Sequence, residues 1–183
     1  APISRRTALT ADPERRRTPA PVSTPERQPD LRLEMFSQPR FLAAARSMLG
    51  SLAQRVGFNE IQCGQISLAV DEALCNVINH GYERDPEGRI WVSVWVLTEP
   101  RPGLNIVIED RARQVDLESI RHRDLDDIRP GGLGVYIIQE VMDDVRYEHR
   151  EGGGMRLTLI KHLTEREADA AGEACVSEPR KKK

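Results

Sequence analysis

The stretch from Ile90 to Glu109 restricts the fold more than any other part of this 183-residue chain. Ile90, Val92, Val94 and Val96 alternate with Trp91, Ser93, Trp95 and Leu97, which is the two-residue period of a strand. Pro100–Gly103 forms a turn and Leu104–Glu109 a second apolar strand, so the two read as a hairpin. A hairpin is antiparallel, and its apolar face needs a covering layer. The flanking text offers helices for that purpose. Leu42, Ala45, Leu49, Leu52 and Val56 recur at spacings of three and four, a helix stripe stopped by Gly57. Asn59 caps a second helix that runs to about His80 and ends at Gly81, burying Ile66, Ala69, Val70, Ala73, Leu74, Val77 and Ile78. Arg111 to Pro130 is polar and carries at most a short helix around Leu117–Ile128. Another helix starts near Gly132–Gly134 and uses Val135, Ile138, Val141 and Met142. Val145–Arg150 and Met155–His162 read as strands joined by Gly152-Gly153-Gly154. The order ααββ–loop–αββ predicts an α+β two-layer sandwich, with helices over one face of a mixed, mainly antiparallel sheet.

Composition sets the limits of that domain. Residues 1–30 hold six of the 12 prolines, the run Arg15-Arg16-Arg17 and almost no large apolar residue, so a disordered tail is expected there. Residues 164–183 are polar and end in Arg180-Lys-Lys-Lys, a second expected tail. The domain is then 31–163. With 27 Lys+Arg against 29 Asp+Glu, the net charge of −2 argues against nucleic-acid binding driven by bulk charge. No run approaches the ~18 apolar residues of a membrane span, and no apolar stretch follows Arg5-Arg6 to make a secretory signal. Cys63, Cys75 and Cys175 form neither a disulfide framework nor a zinc pattern, so a reducing cytoplasm is expected.

Three features carry candidate chemistry. Glu72 and Asn76 lie four residues apart, one turn above each other on the second helix, and Asn79 and His80 continue the polar edge. A carboxylate beside a carboxamide can hold a hydrated metal ion or take a proton from a hydroxyl; an ordinary solvated helix face is the alternative. Asp110 ends an apolar strand, where it either accepts a ligand amine or caps the turn. Pro130-Gly131-Gly132-Leu133-Gly134 opens into a helix, whose unpaired N–H groups favour an anion, although glycines also gather at helix starts for geometric reasons. It is neither a P-loop nor a Rossmann fingerprint.

Taken in order, Glu72-Ala-Leu-Cys-Asn76-Val-Ile-Asn-His80-Gly81-Tyr82, Asp110 and Gly132-Leu133-Gly134 resemble the Bergerat-fold ATPases, and most closely the anti-sigma factor serine kinases. Val141-Met-Asp143 and the closing strand with Lys161-His162 agree, and the resemblance covers about residues 31–163. It implies a histidine-kinase-like ATPase domain that binds ATP and Mg²⁺ and phosphorylates a serine. The implied partners are a sigma factor and a STAS-domain anti-anti-sigma protein, with no direct nucleic acid and no membrane; a homodimer is compatible with it. By the same resemblance Glu72 is the general base, Asn76 the Mg²⁺ ligand and Asp110 the reader of the adenine amine. Gly132, Leu133 and Gly134 line the phosphates under a lid of residues 111–130, to which Arg121 or Arg129 adds charge. Phosphoryl transfer of this kind rests on positioning and charge neutralisation. Three positions, 112, 114 and 155, depart from the family pattern. Its first glycine box reads here Asp110-Arg-Ala112-Arg-Gln114, and a side chain at 114 is expected to narrow the adenine pocket. The threonine that often follows the last glycines is replaced by Met155. These departures keep a second reading open, a non-catalytic Bergerat-fold regulatory module with weak or no nucleotide binding.

Overall fold

The computed structural model describes residues 27–121, 133–164 and 167–168, without the side chains of Ser119 and Arg121. Five strands form one sheet: β1 (Leu31–Phe36), β2 (Arg89–Leu97), β3 (Gly103–Asp110), β4 (Asp144–His149) and β5 (Met155–His162). Their order across the sheet is β1-β2-β3-β5-β4. The helices are α1 (Leu42–Val56), α2 (Glu60–Asn76), the five-residue α3 (Leu117–Arg121) and α4 (Leu133–Val141). Among the described residues no helix is long and apolar enough to cross a membrane.

Two expectations need correction. Residues 31–36, which carry no expected element, form β1, which pairs with β2 from Leu31↔Val94 to Phe36↔Arg89. Its sequence alternates Leu31, Leu33 and Met35, which join the core, with Arg32 and Glu34, which are exposed. The sheet is also antiparallel at every pairing rather than mixed. The chain leaves β3 through α3 and α4 and returns as a second hairpin. That hairpin docks through β5, aligning Gly103 with His162 and Glu109 with Arg156.

The core lies between one sheet face and the layer of α1, α2 and α4. Val92, Val94, Ile106, Ile108 and Leu159 meet Leu49, Ile66, Val70, Leu74 and Ile138 there, each at most 1% exposed. Burying a side chain of this size contributes about 1.5–3 kcal/mol. Close helix contact is helped at Gly50, where an added Cβ would stand 2.8 Å from Ser67 Oγ. Gly57, at φ 116°, ends α1 in the left-handed region. Asn59 caps α2: its Oδ1 accepts from Gln62 N at 3.0 Å, and Gln62 Oε1 accepts from Asn59 N at 3.1 Å. Glu167, within the span expected to be a tail, accepts from Asn59 Nδ2 at 2.7 Å and from Gln62 Nε2 at 3.1 Å.

Candidate functional site

The middle helix α2 does not finish as an ordinary helix. Val77–Gly81 widens into a π turn, closed by Tyr82 N donating to Val77 O at 2.8 Å. Such widened turns gather at functional sites because they re-aim the side chains around them. Gly81 is not a left-handed cap here; Glu83 (φ 51°) and Arg84 (φ 68°) take the left-handed conformations instead. What Gly81 provides is room, since a Cβ on it would stand 3.0 Å from the methyl of Ala112.

At one end of the site, Glu72 and Asn76 meet the first turn of α4. A Cβ on Gly134 would lie 2.7 Å from Glu72 Oε2 and 3.5 Å from Asn76 Nδ2. The structure thus brings together three residues that are 58 to 62 positions apart or one turn apart in sequence. Leu133 is 59% exposed, and Gly132 and Arg129 lie outside the described residues.

Asp110 marks the other end, at the close of β3 and only 3% exposed. Its Oδ1 accepts from Ala112 N at 2.8 Å and Met155 N at 3.2 Å. Among the described residues no hydrogen bond reaches Oδ2. Burial pushes this carboxyl above the usual aspartate range, a rise that the two backbone N–H groups and the nearby Arg150 only partly offset. Three residues not singled out by sequence hold Asp110 in place. Tyr82 Oη donates to Arg89 O at 2.6 Å and accepts from Arg111 N at 2.9 Å, tying the end of the π turn to the residue after Asp110. Arg150 Nη1 donates to the Asp110 carbonyl. Gly154, at φ 87°, passes so close that a Cβ would overlap that same carbonyl oxygen. Tyr82 closes the Glu72–Tyr82 string, the one sequence signal for it; nothing local marks Arg150.

Between Asn76 and Asp110 runs an open cleft. Val77, Ile108, Val135, Met155 and Leu157 supply apolar walls, and Asn76, His80, Asp110 and Arg113 supply polar groups. A cleft with apolar walls, the buried acceptor Asp110 and the Asn76 amide in its lining fits a ring bearing an amine at one side and a charged chain at the other.

The departures in the glycine box resolve locally. Gln114 does not enter the cleft: its Nε2 donates to the carbonyls of Arg150 at 3.0 Å and Gly154 at 3.3 Å, fastening the β4–β5 turn. The expected narrowing is therefore absent, because the amide finds two carbonyl acceptors in that turn. Ala112 packs on Gly81, outside the cleft lining, and contributes its N–H to Asp110. Met155 gives a backbone N–H to Asp110 and its side chain to the wall.

Known proteins resemble this chain in sequence and fold. Proteins named serine-protein kinase RsbW are similar to the chain. The one from Oceanobacillus iheyensis is 27% identical over 147 residues, 76% of this chain and 90% of that protein. The one from Bacillus subtilis is 25% identical over 148 residues, 76% and 89% of the two chains. Among solved structures, the RsbU and RsbW domains of a Mycobacterium tuberculosis protein align with a TM-score of 0.52 and 19% identity. That alignment covers 73% of this chain and 32% of the longer one, and it shows the shared fold. Residues 35–161 match a family of histidine kinase-like ATPase domains, a span that holds both ends of the cleft and its walls, and the chain belongs to that family.

Proposed function

We propose that this protein is an ATP-dependent serine protein kinase of the anti-sigma type, acting in the cytoplasm. It binds a sigma factor and phosphorylates a serine of a STAS-domain anti-anti-sigma protein. One observation carries the reading: the Asn76 amide lines the same cleft as the buried Asp110, and beside Asn76 the start of α4 at Gly134 meets the Glu72 carboxylate. The serine-protein kinases that resemble the chain over about three quarters of its length support the reaction type. The donor set suits the group it would hold. A buried carboxylate oxygen with no hydrogen bond among the described residues suits an adenine amine, and amide and carboxylate oxygens suit a hard cation. Bound Mg²⁺ supplies charge neutralisation on the phosphates.

The residues then divide the work. Asp110 Oδ2 accepts from the adenine amine, and the apolar walls take the ring. Asn76 ligates the cation, while Gly132, Leu133 and Gly134 border the phosphates with backbone N–H groups. Glu72 takes the proton of the acceptor serine hydroxyl as that oxygen gains the γ-phosphoryl group and ADP is left. The non-catalytic alternative drew on Gln114 narrowing the pocket, and that side chain is turned onto the β4–β5 turn.

Glu72→Gln is the test. It keeps size and helix propensity and removes the proton acceptor. With a STAS-domain acceptor and labelled ATP, serine phosphorylation is expected to fall roughly 10²–10⁴-fold, the usual contribution of a positioned base, while ATP affinity holds. Full transfer by the variant would make Glu72 a bystander. A wild-type chain that binds the acceptor but transfers nothing would make the domain a binding module.

A further inference from the structure

The loop that follows Asp110 sends its side chains to different places, and of residues 111–114 only one enters the cleft. Arg111 lays its guanidinium over the Trp91 ring, 5.3 Å from the centroid. Ala112 packs on Gly81, and the Gln114 amide is engaged by the carbonyls of Arg150 and Gly154. Arg113 is the one that lines the cleft. The backbone that presents it is held on both sides. Arg111 N donates to Tyr82 Oη at 2.9 Å, Ala112 N donates to Asp110 Oδ1 at 2.8 Å, and Gln114 is tied down through its side chain. The Arg113 side chain itself is 71% exposed and forms no hydrogen bond with any described residue. Its ion pair is with the equally exposed Glu83, at 3.8 Å. A pair that long and that open contributes little, so the guanidinium is free to take a better partner.

Depth separates the residues of the lining. Ile108 and Leu157 are at most 6% exposed and lie deep, as does Asp110, whereas Arg113 stands at the solvent side. Asp110 and Arg113 are three positions apart, no more than about 11 Å of chain. On the reading that Asp110 accepts the adenine amine, the ring rests on the deep apolar residues and turns its outward side to this loop. We propose that Arg113 is a nucleotide-contacting residue: its planar guanidinium leaves Glu83 and stacks on the solvent-facing side of the bound adenine. A flat, delocalised cation is attracted to the face of an aromatic ring, and it is hydrated weakly enough to be laid against one. Every base has such a face, so Arg113 adds affinity while Asp110 chooses the base. Glu83 does not follow the guanidinium. It is held at φ 51° in a turn closed by Arg84 N donating to Ile78 O at 2.8 Å and Asp85 N to Tyr82 O at 2.9 Å. Its carboxylate therefore competes with the nucleotide for Arg113.

Adenosine, which carries the base and no phosphate, is the decisive probe. Its binding to the full chain is measured without Mg²⁺ by ligand-observed NMR, beside that of ATP by calorimetry. Arg113→Ala should weaken both ligands by the same factor, roughly three- to tenfold. Arg113→Lys keeps the charge and loses the plane, so it should restore little of that loss. Glu83→Gln should hold or raise the affinity for both. Both altered side chains are exposed, so unfolding temperatures should match the wild type's. A loss for ATP alone, recovered by lysine, would overturn the stack and assign the guanidinium to the phosphates. Glu83→Gln weakening adenosine as much as Arg113→Ala does would also overturn it, because the ion pair itself would then shape the cleft. Equal affinities in the wild type and Arg113→Ala would make Arg113 a solvated side chain and leave the ATP reading standing. A wild type that binds neither ligand would remove that reading and this one together.

Discussion

Gly134 has no side chain where Glu72 has a carboxylate: a Cβ on the glycine would stand 2.7 Å from Glu72 Oε2. The contact joins the first turn of α4 to the polar edge of α2, and it makes the position of the proposed base depend on a residue 62 positions away.

Gly134→Ala is therefore expected to separate activity from stability. The atom that must give way is the far end of a flexible side chain, so the fold has little to lose. Alanine in a helix gains up to about 1 kcal/mol over glycine. Thermal unfolding should hold or rise slightly. Displacing a general base by about an ångström should cost roughly 10²-fold in phosphoryl transfer. A variant with intact transfer would show that Glu72 works from another rotamer.

Asn76→Ala tests the metal end. The amide stands one turn from Glu72 and lines the cleft, where its oxygen can ligate a hard cation. ATP binding measured by calorimetry with and without Mg²⁺ should show the enhancement by the cation in the wild type and its loss in the variant. Equal enhancement in both would place the cation elsewhere.

Much of this site was legible in the sequence, for definite physical reasons. The helical period puts Glu72 and Asn76 on one edge whatever the rest of the chain does, while the strand end leaves Asp110 open between ligand acceptor and turn cap until the family pattern is read with it. What the sequence hid is interaction at a distance. β1 is a six-residue edge strand beside a proline-rich stretch, and its alternation is too short to stand out without its partner β2. Gln114 looked like an obstruction because its backbone position falls in the glycine box. Its direction is decided by two carbonyls 36 and 40 residues downstream. The same holds for Arg150 and Gly154, which reach Asp110 only once β5 has paired with β3.

Asp110→Asn should discriminate between nucleotides. An asparagine oxygen can keep the N–H bonds from Ala112 and Met155, which places the NH₂ group where Oδ2 was. An amide donor then faces the adenine amine, while guanine presents a carbonyl at the matching position. Losing a charged hydrogen bond costs roughly 1.5–3 kcal/mol, about ten- to a hundredfold in ATP affinity, and GTP should lose much less. Equal, small losses for both would leave Asp110 as a turn residue.

The buried state of Asp110 also sets a pH dependence with a definite sign. Burial raises its folded-state value above that of the unfolded chain, so the ionised carboxylate is what the fold tolerates least. At neutral pH that cost is fully present. It is relieved as the pH falls through the raised folded value, and the relief is complete below the unfolded one. Binding runs the other way, because a protonated Asp110 turns from acceptor to donor and meets the adenine amine with a like group. ATP affinity should thus decline on acidification from a higher pH than an ordinary aspartate, near 3.9, would give. Asp110→Asn removes the titration. Its stability, measured by denaturant unfolding, should exceed the wild type's at neutral pH, and the difference should shrink as acid protonates the wild-type carboxyl. Acid effects from other groups, such as the Asp30 carboxyl held low by Arg27, are common to both proteins and cancel in that difference. A stability difference that stays constant across the acid range would mean that Asp110 is not the group being titrated.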